Sequence, residues 1–170
     1  ETEVWEGVDG TMRAARDFRH LCARCVAQLE LVRPPHCTTC GHPFHGVGDG
    51  DRQCVKCDGL EPAFGAGWTA VLFKGPARAL VIELKYHRGL HVLADMAAIF
   101  RRAPHVLEAV RGGSVVPVPL HPRKARERGY NQSHLLAESL AGAAGGGTRV
   151  VPLLQRVVDT ETQTAFDRRT

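Results

Sequence analysis

Aromatic residues make up only 6 % of the chain, and no apolar stretch reaches the roughly 20 residues that a bilayer-spanning helix needs. Arg, Lys, Asp, Glu or His interrupts every hydrophobic run first, which excludes a transmembrane helix. The first twenty residues mix Glu1, Glu3, Glu6 and Asp9 with Arg13, Arg16 and Arg19. They lack the apolar centre of a secretory signal, so export is not expected and a cytoplasmic location is. Cysteine is missing from residues 58–170, and no repeat is visible beyond the cysteine pairs. With so few rings, none interleave with the basic residues as stacking on single-stranded nucleic acid requires.

The remaining composition, 44 % hydrophobic and 24 % charged over 170 residues, suits a globular protein of one or two domains and excludes wholesale disorder. Residues 1–110 carry 13 Lys plus Arg and 13 Asp plus Glu, whereas residues 111–170 carry 9 and 5, so the net charge of +4 lies in the last third. A local positive field steers nucleic acid, phosphorylated metabolites or an acidic protein, and composition does not choose among them.

All six cysteines form pairs: Cys22-Ala-Arg-Cys25, Cys37-Thr-Thr-Cys40 and Cys54-Val-Lys-Cys57. Gly41, Gly46, Gly48, Gly50, Pro34, Pro35 and Pro43 separate them, which describes a loop-rich module over residues 18–60 that cannot build much of an apolar core. A Cys-x-x-Cys corner points two thiolates at one tetrahedral ion, and two corners complete a closed four-sulfur zinc site. Thirteen residues separate Cys40 from Cys54, favouring Cys37, Cys40, Cys54 and Cys57. Eleven separate Cys25 from Cys37, so Cys22, Cys25, Cys37 and Cys40 compete. Six sulfurs cannot fill two such sites. Either His20, His36, His42 or His45 makes up the difference, or a partner pair lies upstream of Glu1. Disulfides would need an oxidising compartment, and a thioredoxin-type redox pair expects one such motif inside a βαβ unit. The expected cofactor is therefore structural Zn2+, with the chemistry elsewhere.

Beyond Cys57, Gly67 to Phe73 reads as a short strand. A helix follows from Pro76, with Ala77, Leu80, Val81 and Leu84 on one face. A second helix is expected over about 90–102, with Val92, Leu93, Met96, Ala97 and Phe100 inward, ended or kinked by Pro104. Val115 to Leu120 reads as a buried strand with an irregular end, because Pro117 and Pro119 donate no backbone hydrogen bond. A helix around Leu135, Leu136 and Leu140 and a strand over 149–154 complete an order that suits an α/β domain with a mostly parallel sheet.

The most informative stretch runs Val116-Pro117-Val118-Pro119-Leu120-His121-Pro122-Arg123-Lys124-Ala125-Arg126-Glu127-Arg128-Gly129-Tyr130-Asn131-Gln132. A strand end, a loop bearing four cations and a helix start together attract phosphate groups through guanidinium forks and backbone donors. Equally, these residues read as a solvated basic face with Asn131 capping a helix.

This stretch resembles the hallmark of the ComF family, competence-associated proteins similar to type I phosphoribosyltransferases preceded by a double zinc ribbon. The likeness extends to the cysteine pairs, to Leu84-Lys85-Tyr86-His87-Arg88-Gly89, and to Arg156 followed by Thr160-Glu161-Thr162-Gln163-Thr164. It implies a truncated phosphoribosyltransferase-like, Rossmann-like domain over residues 64–170. By resemblance, Arg123, Arg126 and Arg128 contact the diphosphate of phosphoribosyl diphosphate. Asn131 and Gln132 orient loop or substrate, Lys85 and Tyr86 face a second substrate or pack a helix, and Gln163 and Arg168 belong to a closing loop. The implied reaction displaces diphosphate at the anomeric carbon with Mg2+, onto an unknown acceptor. The family's eight ribbon cysteines are here six, and its Asp-Asp ribose-phosphate turn is absent, so the chain reads as an inactive piece whose missing loop is expected beyond Thr170. The alternative is a zinc-ribbon module without turnover that binds single-stranded DNA or proteins of the competence machinery.

Overall fold

The computed structural model describes residues 16–44, 50 and 52–159. The regular elements there are α1 (Ala23–Ala27), α2 (Gly75–Tyr86), a 3-10 turn (Leu90–Val92), α3 (Leu93–Arg101), α4 (Pro104–Val110), β1 (Ser114–Val115), α5 (Pro122–Arg128), α6 (Gln132–Ala144) and β2 (Arg149–Val150). The arrangement is mixed α/β with a small parallel sheet. β1 and β2 pair in parallel, Ser114 opposite Arg149 and Val115 opposite Val150. α6 lies against α3, α4 and β2 and buries only Ala137, Ala141 and Ala144, small side chains that allow close approach.

α2 forms where the apolar spacing puts it. Pro76 fits the first turn, where its missing N–H costs nothing, and Ala77, Leu80 and Leu84 are buried. Leu84 is fully enclosed, which contributes about 1.5–3 kcal/mol of hydrophobic stabilisation. The expected second helix divides into the 3-10 turn and α3, and its inner face is rotated. Asp95, Ala98 and Ile99 are buried, whereas Ala97 and Phe100 are only half-buried. A 3-10 turn winds at three residues per turn rather than 3.6, so the face that follows is displaced from one counted from Leu90. Pro104 does not kink the chain but opens α4.

The expected strands are shorter than their apolar runs. From 115 to 120 only Val115 belongs to the ladder, while Val116 and Val118 are exposed, so this is not a buried strand. Pro117 and Pro119 cannot donate to a neighbour, which limits the ladder. At the other strand Leu153 and Leu154 are exposed, and pairing stops soon after Val150. The stretch 67–73 makes a single antiparallel bridge, Val71 to Leu31, supported by Val32 N–H to Ala70 O at 3.0 Å and Leu72 N–H to Glu30 O at 2.9 Å.

That pairing brings the cysteine-bearing segment onto the helices. Phe18 is buried with Leu80, Leu84, Val92, Met96, Ala98 and Ile99, and Leu21, Val26, Leu29 and Leu31 pack against them. Asp95 fastens the same segment: its fully buried carboxylate accepts the Arg19 N–H at 2.6 Å and the His20 N–H at 3.0 Å, with the His20 Nδ1 at 3.1 Å.

Candidate functional site

Two clusters gather chemically capable side chains, the first built by local backbone geometry and the second by contacts between distant stretches. In the first, Gly41 N–H donates to Cys37 O at 2.9 Å and Cys37 N–H to His42 O at 2.8 Å, closing one corner. Cys57 N–H and Asp58 N–H donate to Cys54 O at 2.8 and 3.0 Å, closing the other. Gly41 sits at φ +68°, and a Cβ there would lie 2.5 Å from Gly67 O, so the corner admits no side chain at this position. The Sγ atoms of Cys37, Cys40, Cys54 and Cys57 lie within 4.8 Å of one another, Cys40 and Cys54 being 3.9 Å apart. Four sulfurs at about 2.3 Å from a tetrahedral ion stand about 3.8 Å from each other, so the donor set and spacing fit a thiolate-bound metal ion.

The cluster's electrostatics prepare it for a cation. Burial raises the Cys37 thiol, yet backbone N–H groups of Cys40, Cys54 and Thr39 outweigh burial and bring it down to about 6. Cys57 is pushed up to about 12, by burial first and then by thiol contacts with Cys40, Cys54 and Cys37. Cys40 is raised, again chiefly by burial. A Cys37 thiolate beside the Cys40 and Cys57 thiols is the state expected of a site that gives up protons to a metal. Cys22 and Cys25 are not part of this quartet. Cys22 is exposed at the start of α1, its thiol lowered chiefly by a backbone hydrogen bond from Cys25. Of the nearby histidines, His36 is buried against His105, ring centroids 5.3 Å apart, and His20 is held by Asp95. His45 lies outside the described residues.

The second cluster joins two stretches more than thirty residues apart. The Tyr130 hydroxyl donates to Leu84 O, and the Arg128 guanidinium stands 5.7 Å from the Tyr86 ring centre. Arg88 Nη2 donates to Glu127 O at 3.3 Å. A Cβ at Gly89 would lie 2.4 Å from Glu83 Cγ, so a side chain there would displace the Glu83 side chain. The end of α2 and the turn after α5 thus form one surface, reversed at Gly129 with φ +87°.

Within that surface the expected site residues divide by role. Asn131 is committed to the scaffold, its Oδ1 accepting the Ser133 N–H at 3.0 Å and its Nδ2 donating to Val118 O at 3.0 Å. Gln132 Oε1 accepts from Arg128 Nη1. Arg123 pairs with Glu127 at 3.2 Å and with Asp159 at 3.4 Å. Arg126 is exposed and has no partner among the described residues, while Lys85 is half-buried on α2. Gln163 and Arg168 lie outside the described residues. Sequence reasoning missed Asp95, although a lone Asp between Val92 and Met96 was a signal, and it missed Asp159. A Mg2+ ion takes oxygen donors, and among the described residues no group of three or more carboxylates gathers to supply them.

A four-cysteine cluster positioned to bind a metal ion, on a mixed α/β body that also presents a basic turn, defines the class of chain. Over 127 residues, 71 % of its length, the chain is 32 % identical to DNA utilization protein YhgH of Salmonella typhi, and it covers 52 % of that protein. It is 31 % identical to the Salmonella typhimurium DNA utilization protein YhgH over 127 residues, and 25 % identical to competence protein F of Haemophilus influenzae over 129, with the same coverages. The names of these relatives support the ComF-family resemblance that the motifs carry. The chain spans about half the length of the curated relatives it matches. No family model and no solved structure matches it.

Proposed function

We infer that the cysteine quartet holds one structural Zn2+ ion and that the basic turn is the polyphosphate-binding part of a phosphoribosyltransferase-like site serving competence or DNA utilization. The meeting of Lys85-Tyr86-His87-Arg88-Gly89 with Arg128-Gly129-Tyr130-Asn131-Gln132 carries this reading. Two separate motifs gain a common purpose if one ligand touches both. Arg123 and Arg126 would then receive the diphosphate as guanidinium forks, and Arg128, braced by Gln132 and Tyr86, would fix the turn that presents them. In diphosphate displacement the developing negative charge on the leaving group is what a fixed set of cations stabilises.

The zinc ion would cross-link the loops and supply no chemistry, since four sulfurs close its shell. Calorimetric titration of phosphoribosyl diphosphate into the wild type and Arg126→Ala tests the site. Binding weakened about tenfold or more by the substitution supports it, the usual scale for losing one charge-assisted contact of about 1.5–3 kcal/mol. Equal binding removes Arg126, and absence of binding in the wild type defeats the reading.

A second reading rests on different residues. Phe64, Trp68 and Phe73 are exposed beside the ribbon, and the Arg78 guanidinium stands 6.0 Å from the Phe73 ring centre. Exposed rings with arginine form a stacking surface for single-stranded nucleic acid, consistent with relatives named for DNA utilization and competence. Oligonucleotide binding that falls steeply with salt and is lost in Trp68→Ala would favour it.

A further inference from the structure

Two cations and an imidazole converge on one carboxylate. Arg123 Nη1 lies 3.4 Å from Asp159 Oδ2, and Lys124 Nζ and His121 Nδ1 lie 3.9 and 3.7 Å from Asp159 Oδ1. His121 Nδ1 is buried and has no hydrogen-bond partner among the described residues. We propose that Asp159 is a built-in occupant of the anion seat formed by His121, Arg123 and Lys124, and that a phosphate-bearing ligand binds there by displacing it. The proposal rests on the polyphosphate reading of the basic turn and adds a regulatory device to it.

Three observations carry it. The first is geometry: all three contacts exceed the 2.7–2.9 Å of a charge-assisted hydrogen bond, so attraction holds the carboxylate without the directional bonds that would lock it. The second is charge. Glu127 also pairs with Arg123, at 3.2 Å, so two single carboxylates face two permanent cations, and a diphosphate brings more charge and more acceptor oxygens to the same groups than Asp159 does. The third is attachment. Asp159 lies beyond β2 on a stretch with little apolar anchorage, since Leu153, Leu154, Val157 and Val158 are 70, 62, 79 and 61 % exposed. Displacement therefore sacrifices little packing.

The seat is distinct from the rest of the basic turn. Arg128 is engaged with Gln132 and Tyr86, and Arg126 does not meet Asp159, so among the described residues it is the His121–Lys124 end that Asp159 occupies. An occupant scales apparent affinity down to the intrinsic value times the fraction of time the seat is empty, which sets a ligand threshold and discriminates against singly charged anions.

The test is calorimetric titration of inorganic pyrophosphate into the whole chain as wild type, Asp159→Asn and Glu61→Gln. Glu61 is exposed, and its substitution makes the same change in net charge away from the seat. The expected result is binding about three- to tenfold tighter in Asp159→Asn, with Glu61→Gln close to wild type, as release of a self-occupied site requires. Thermal unfolding of Asp159→Asn at the wild-type temperature accompanies it. Equal gains in both variants, or no gain or a loss in Asp159→Asn, overturn the proposal while leaving the basic turn as an anion site. No binding by any of the three proteins overturns the proposal and the polyphosphate reading together.

Discussion

Asp95 holds His20 from two sides, accepting its backbone N–H at 3.0 Å and standing 3.1 Å from its ring Nδ1. Because the carboxylate is fully buried and also accepts the Arg19 N–H, it ties the segment leading into the first cysteine pair to α3. Removing it leaves the Arg19 and His20 N–H groups without this acceptor and empties a fully buried position in the core. Asp95→Ala is expected to lower unfolding stability by about 2–4 kcal/mol, and Asp95→Asn by less, because the amide keeps one acceptor oxygen. Denaturant unfolding followed by circular dichroism measures both.

Metal content separates the cysteines. Purified protein is expected to carry about one zinc per chain and Cys54→Ser almost none, while Cys22→Ser keeps the wild-type amount, because four thiolates are required and Cys22 is outside the quartet. Elemental analysis gives the ratio, and about two zinc ions per chain would show that Cys22 and Cys25 contribute to a second site.

Zinc affinity should rise with pH. Above about 6 Cys37 is already ionised, so the protons released on binding come from thiols held protonated, Cys57 and Cys40 among them. Proton release strengthens binding as pH rises, and acidification below about 6 adds Cys37 to the groups that must be deprotonated. Chelator competition across that range, with proton uptake followed in parallel, checks the sign; affinity independent of pH would contradict it.

Gly41→Ala is expected to damage the ribbon without touching a ligand. Its Cβ would meet Gly67 O at 2.5 Å, and the left-handed backbone costs a further 1–2 kcal/mol or so in any L-residue. Weaker zinc retention against a chelator, with α2 to α6 still folded by circular dichroism, is the expected result.

Tyr130→Phe removes one hydrogen bond between the two motifs, to Leu84 O, at a cost of about 0.5–1.5 kcal/mol in stability. If the motifs form one site, phosphoribosyl diphosphate binding also weakens, although the hydroxyl itself is spent on the carbonyl oxygen. Thermal melts and titration of the same variant separate the two effects.

Local signals were legible in the sequence wherever one short stretch decides the outcome. Pro76 followed by Ala77, Leu80 and Leu84 specifies α2, and the Cys-x-x-Cys spacing leads to the quartet that the fold assembles. Long-range choices were not. The inner face of α3 depends on a 3-10 turn that periodicity does not announce, and the role of Asp95 depends on Arg19 and His20, more than seventy residues away. Apolar runs such as Val115 to Leu120 look like strands by composition, but ladder length is set by which neighbours arrive and by prolines without donors. At the site, basic residues were visible as a group, but their division into braces and free ligands was not. Asn131 and Arg128 are occupied by partners that only folding brings near.

Phe18 and Leu31 share their interior with Leu84 and Ile99, so the segment that leads into the cysteine-rich loops and the helices draw on one core. Heating such a molecule should give one calorimetric endotherm rather than two, and stripping its zinc should move the whole transition, making metal supply a control on the abundance of the entire folded chain.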